Sequence, residues 1–185
     1  DKLENCLLRS GAETVINFAA YTNVDEAEKE KNDLSGMAYK LNALAIGNLA
    51  KICAENKLLL IHLSTDYVFD GTSPIAYKED DKPNPKSVYG VTKLAGEIAC
   101  AEKCPDSIII RTAWVYSEFG NNFVKTMLRL MDERASLSVV NDQIGSPTYA
   151  ADLAQVLLTI LDSTIWEPGI YHYSNQGEIS WFDFA

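Results

Sequence analysis

Three short apolar runs constrain this chain more than anything else in it: TVINFAA at 14–20, LLLIHLS at 58–64 and SIIIRTAWVY at 107–116. Within each run the apolar residues follow one another instead of alternating with polar ones. A strand built that way must be covered on both faces, which is the habit of parallel sheets. The segments between them, SGMAYKLNALAIGNLAKICAEN at 35–56 and SVYGVTKLAGEIACAEK at 87–103, space their apolar residues at the helical period. Strand, helix, strand, helix, strand predicts an α/β fold with helices on both faces of a parallel sheet. Further along, NNFVKTMLRLMDER at 121–134 and AADLAQVLLTILDS at 150–163 read as helices and GIYHYSN at 169–175 as a short strand. Ser180 followed by Asp183 reads as the start of a capped helix.

Composition narrows the function. The formal charge is -10, and Lys and Arg are nowhere clustered, which excludes a nucleic-acid backbone as partner. A small anionic ligand held by backbone amides at helix N-termini remains compatible with that charge. No apolar run approaches the roughly 20 residues that span a bilayer, and DKLENCLLRS lacks a signal-peptide pattern, so the expected location is cytoplasmic, with no membrane partner. Cys6, Cys53, Cys100 and Cys104 show no CxxC spacing and only His62 and His172 could join them, so no metal site is expected. Cys100 and Cys104 lie four apart in a helical segment and are expected to pack on one face as small apolar residues.

The second apolar run ends in STDYVFDG, Ser64 to Gly71, which loads hydroxyls and an acid onto the end of a buried strand. Ligands of open α/β sheets bind at the carboxyl ends of the strands, so these groups are placed to face a substrate. The segment from Asp66 to Lys86, with Gly71, Pro74, Pro83 and Pro85, reads as a long loop, and loops of that length are commonly functional. Directly after it, Tyr89 and Lys93 are four apart on a helix and share a face. A phenol beside an ammonium is expected to have its pKa lowered and to exchange a proton near neutral pH. A hydroxyl at Thr65 facing that helix would hydrogen-bond the same carbonyl oxygen as charge develops there. Asn42 is either a bridge between its helix and the site or an exposed polar residue, and Asn141, Gln143 and Thr148 in NDQIGSPTY are either ligand contacts or turn formers.

The blocks VINFAAYTNVDEAE, LNA, STDYVFDG, NPKSVYGVTKLAGE, RTAWVY, NNFVKTM and VVNDQIGSPTYAADLA occur in that order from about Thr14 onward. Together they resemble the dTDP-4-dehydrorhamnose reductases of the extended short-chain dehydrogenase/reductase superfamily. The resemblance implies a Rossmann-like domain over about 1–140 and part of a smaller substrate lobe over 141–185, with a return to the core. It implies catalytic roles for Thr65, Tyr89 and Lys93, and cofactor contacts from Ala20, Tyr21, Thr22, Tyr89 and Lys93. It implies sugar contacts from Thr65, Asp66 and Trp114, with NADPH or NADH as cofactor and a nucleotide sugar as substrate, and it allows a homodimer of a longer parent. The ten glycines form no GxxGxxG or GxGxxG turn, so the first strand and phosphate loop of the family are missing and the chain is expected to be an internal fragment without activity of its own. Two other readings share the Tyr and Lys: a nucleotide-sugar epimerase or dehydratase, and a noncatalytic subunit resembling the methionine adenosyltransferase β subunit.

Overall fold

The computed structural model describes residues 2–185. In chain order its elements are α1 (Lys2–Ser10), β1 (Thr14–Asn17), α2 (Val24–Ala27), α3 (Met37–Tyr39), α4 (Ala45–Glu55), β2 (Leu59–Thr65), α5 (Val88–Lys103), β3 (Ile108–Thr112), β4 (Val115–Tyr116), α6 (Phe123–Glu133), β5 (Ile144–Gly145), β6 (Thr148–Tyr149), α7 (Ala150–Asp162), β7 (Gly169–His172), β8 (Ile179–Ser180) and α8 (Trp181–Phe184). The three apolar runs are neighbours in a four-stranded sheet of order β1-β2-β3-β7. β1 runs parallel to β2 with Ile16 opposite Ile61, and β3 runs parallel to β7 with Ile109 opposite Ile170. Leu60, Ile61, Ile108, Ile109 and Ile110 are all buried although successive side chains point to opposite faces, so the sheet is covered on both sides, as the continuous runs require.

The core gathers Ile46, Leu49, Ala50 and Cys53 of α4, Cys100 of α5 and the adjacent Cys104 over Leu60 and Ile109. Cys53, Cys100 and Cys104 are free thiols packed as apolar groups, with burial pushing the Cys53 thiol up to about 12 and that of Cys100 to about 11. The helix α1 was not anticipated: it buries none of its own residues, although Leu7 leans on the core cluster.

The sequence predicted one helix over 35–56, and the structure breaks it with a π turn at Lys40–Leu44 between α3 and α4. Such turns concentrate at functional sites. The helix α5 lies tightly against this turn because residue 96 is glycine: a Cβ there would collide with the Asn42 carbonyl. Gly90 does the same against the Tyr67 carbonyl. Ser87 starts α5 as an N-cap, its hydroxyl accepting from the Gly90 N–H at 3.0 Å, and Ser180 with Asp183 forms the expected capping box on α8.

The chain divides into two compact units: residues up to Arg111 with Glu167–His172, and Thr112–Trp166 with Tyr173–Ala185. The first of these units runs to Arg111 because β3 is the last long stretch to enter the four-stranded sheet before β7 returns to it. The second unit has two-stranded pairings, β4 parallel to β6 and β5 antiparallel to β8. Half-buried rings cluster in it, Trp114, Tyr116, Phe123, Tyr149, Trp181 and Phe184 being linked by ring contacts. No described helix is long and apolar enough to cross a membrane.

Candidate active site

The loaded end of β2 becomes a cluster in the first unit. Thr65 is 6% exposed and caps the short turn Asp66–Val68: its Oγ1 accepts from the Tyr67 N–H at 3.2 Å and donates to Asp66 Oδ1 at 3.1 Å. From α5 the Tyr89 phenol lies close enough to Thr65 for that hydroxyl to lower its pKa, and the Tyr89 ring meets the Tyr67 ring edge-on at 5.5 Å. One turn further along α5, Lys93 is 2% exposed and donates from Nζ to the Leu63 carbonyl at 2.7 Å. The end of β2 and the first turns of α5 thus carry a hydroxyl, a phenol and a buried ammonium, the last tied back to the strand at Leu63.

The electrostatics correct one expectation. Lys93 does not lower the Tyr89 pKa: burial pushes the phenol up to about 12, with Asp66 and Tyr67 adding to the rise and the Thr65 hydrogen bond opposing it. The physical reason is that the ammonium is aimed at the Leu63 carbonyl while the phenol is packed among Thr65, Asp66 and Tyr67. Burial in turn brings Lys93 down to about 8, with Glu97 pulling it back up. Asp66 is raised, mainly by burial. At neutral pH the phenol keeps its proton and the lysine is charged, which suits a donor to a developing alkoxide.

Three polar residues that the sequence left open or did not single out complete the surroundings. Asn42, fully buried in the π turn, is a bridge: its Oδ1 accepts from the Tyr21 N–H at 2.7 Å, and its Nδ2 donates to the Tyr21 carbonyl at 3.0 Å and to Thr92 Oγ1 at 3.1 Å. The Ala20–Thr22 segment is thereby tied to the helix that carries Tyr89 and Lys93. His62, fully buried on β2, lies opposite Asn17, whose Nδ2 donates to His62 Nδ1 at 3.0 Å. The proton then sits on Nε2, which has no partner among the described residues. Burial first, and then the Lys93 charge, push His62 down to about 3, so it is neutral here. A lone polar residue inside an apolar run, as in LLLIHL or TVIN, was the available signal for both His62 and Asn17.

Trp114 belongs to the second unit. It adopts a positive φ of 49° and stacks on Trp181 at 3.6 Å and 15°, and a Cβ on Gly145 would come to 2.7 Å from the indole. Thr148, in the same unit, is buried and donates its N–H to the Trp114 carbonyl at 3.2 Å, while Asn141 and Gln143 are exposed.

The site fits the nicotinamide end of a dinucleotide on one observation: the buried Lys93 ammonium has three donors and the structure commits one of them. A parallel α/β sheet with helices on both faces and polar groups gathered at a strand's carboxyl end defines a Rossmann-like fold. Comparison with known proteins then places it: the chain belongs to the family described as RmlD substrate binding domain, whose model matches residues 1–185. It is 46% identical over 175 residues to a dTDP-4-dehydrorhamnose reductase of Aggregatibacter actinomycetemcomitans, covering 92% of this chain and 58% of that protein. It is 48% identical over 180 residues to one from Mycolicibacterium smegmatis, covering 95% of this chain and 53% of that protein. The crystal structure of the reductase from Bacillus anthracis in complex with NADP superposes with a TM-score of 0.91 at 43% identity, covering 99% of this chain and 64% of that one. The chain thus spans little more than half the length of these curated relatives.

Proposed function

We infer that these residues are the catalytic part of an NADPH-dependent reductase that converts the C4 keto group of dTDP-4-dehydro-L-rhamnose to the hydroxyl of dTDP-L-rhamnose. The observation that carries it is the Tyr89 phenol packed among Thr65, Asp66 and Tyr67 at the end of β2, with Lys93 buried one turn along α5 and bonded to the Leu63 carbonyl. The bound cofactor supplies hydride. Tyr89, which keeps its proton at neutral pH, gives it to the sugar oxygen, and Thr65 turns the proton it otherwise gives to Asp66 toward that oxygen as a second hydrogen bond. Lys93 holds the nicotinamide ribose with the donors that Leu63 leaves open, and the Asn42 clamp on Tyr21 fixes the backbone lining the cofactor. Asp66 is assigned to the sugar. The NADP complex of the Bacillus anthracis relative supports NADPH over NADH.

The test uses a protein of the relatives' full length that carries these 185 residues, with NADPH and the dTDP-linked 4-keto sugar. Tyr89→Phe keeps the ring and removes the proton donor, so kcat is expected to fall about 100- to 10,000-fold with KM little changed. Lys93→Met is expected to lower turnover and also weaken cofactor binding. Near wild-type kcat in Tyr89→Phe would overturn the mechanism.

A further inference from the structure

The first unit contains a buried charge cluster that the chemistry above does not use. Arg111, at the end of β3, and Glu97, on α5 one turn beyond Lys93, are 4% and 2% exposed. The guanidinium grips the carboxylate from two nitrogens: Nε donates to Oε1 at 3.0 Å and to Oε2 at 3.2 Å, and Nη2 donates to Oε2 at 2.8 Å. Nη1 faces the other way. It donates to the Glu79 carbonyl at 3.4 Å and lies 3.4 Å from His172 Nε2 on β7. The flat of the guanidinium, with its central carbon 5.0 Å from the ring centroid, is covered by Phe69. Phe69 stacks on Tyr77 at 4.3 Å and meets His172 edge-on at 5.7 Å, and Glu79 Oε1 accepts from the His172 N–H at 3.1 Å. Everything on that second side, apart from His172, belongs to the long loop that starts at Asp66.

Arg111 touches both the helix carrying Tyr89 and Lys93 and the loop whose root is Thr65 and Asp66, and so joins them at a second place beyond the direct contact of Tyr89 with Tyr67. The loop is closed on itself by Asp70, which accepts from the Tyr77 hydroxyl, Thr72 and Asn84. We propose that Arg111, paired with Glu97, is a positioning residue that sets the loop against α5 and so fixes the Thr65 to Tyr89 geometry. The kinetic part of this rests on the reductase reading above, while the anchoring part stands without it. A buried ion pair adds little net stability compared with apolar side chains of the same volume, which makes a positioning role the more informative reason for its presence.

The same full-length protein is compared with Arg111→Met, Arg111→Lys and the double variant Arg111→Met/Glu97→Met, by backbone hydrogen exchange without ligand and by steady-state kinetics. Arg111→Met is expected to speed exchange in residues 69–84 by about tenfold or more, with β1 exchange unchanged. Its kcat is expected to fall about 10- to 100-fold, since an ångström of misplacement has that effect, while the KM for cofactor stays within about twofold. Arg111→Lys keeps the charge and loses the fork, and is expected to fall between wild type and Met. The double variant removes the lone carboxylate and recovers the thermal midpoint, yet keeps the fast loop exchange and the low kcat. A double variant that recovers kcat, or an Arg111→Met loop that exchanges as in wild type, would overturn the proposal. If the wild-type protein shows no turnover, the reductase reading falls and the exchange experiment alone decides the anchor.

Discussion

The two units of this chain use different materials. The first closes an aliphatic interior of Ile, Leu, Ala and Cys over a parallel sheet, and nearly all the buried apolar side chains belong to it. The second buries only Leu153 and Leu157 of α7 fully among its apolar residues, has no buried residue on α6, and relies on stacked rings. Aliphatic packing between sheet and helices fixes backbone positions to within a methyl group, which suits a unit that must hold a phenol, a hydroxyl and an ammonium in register. Ring stacking is worth less per contact beyond area burial and tolerates adjustment. The difference teaches that precision here is placed with the candidate site, and adaptability with the unit that carries Trp114.

The sharpest way to break that contrast is to open a cavity in the first unit. Leu60→Ala removes a fully buried side chain from the centre of the sheet and is expected to cost about 3 kcal/mol, read by denaturant unfolding of the chain. A loss well under 1 kcal/mol would show that the first core is as forgiving as the second.

Next in size is an acid limb carried by His62. The folded state holds it neutral with a pKa pushed down to about 3, whereas the unfolded chain takes up a proton below its ordinary 6.5. Stability is therefore full above about pH 6.5 and is lost as pH falls from there toward 3, by about 2 kcal/mol at pH 5. His62→Gln, which still offers Asn17 an acceptor, is expected to flatten this limb in a pH series of unfolding curves. An unchanged limb would assign the acid sensitivity to other groups.

The smallest effect belongs to the second unit. Trp181→Leu removes the stack on Trp114 and is expected to cost about 1 kcal/mol and to change the near-ultraviolet circular dichroism, with hydrogen exchange in β1 to β3 unaffected. A cost as large as that of Leu60→Ala would erase the distinction between the units.

Much of the scaffold was legible because the relevant signals are local. Continuous apolar runs gave β1, β2 and β3, and helical spacing gave α4, α5, α6 and α7. Ser180 and Asp183 marked a capping box in four residues. The candidate site was legible in part: Thr65, Tyr89 and Lys93 were named, but α1 and the π turn were not seen, because each depends on what packs against it. His62, Glu97 and Arg111 sit as single polar residues inside apolar patterns, a cue that marks burial without naming a partner.

By itself the sequence determined which residues face one another on each element, since a period of 3.6 puts Tyr89, Lys93 and Glu97 on one side of α5 and a period of 2 puts Asn17 and His62 within strands. Only the tertiary structure decided what those neighbours do to each other. Spacing says that an ammonium lies one turn from a phenol, yet the phenol's pKa rises, because it depends on burial and on where the charge is aimed, and Leu63 takes the ammonium. Likewise nothing local pairs Arg111 with Glu97 fourteen residues away or lays Phe69 over it; that required β3, α5 and the loop after β2 to meet in space.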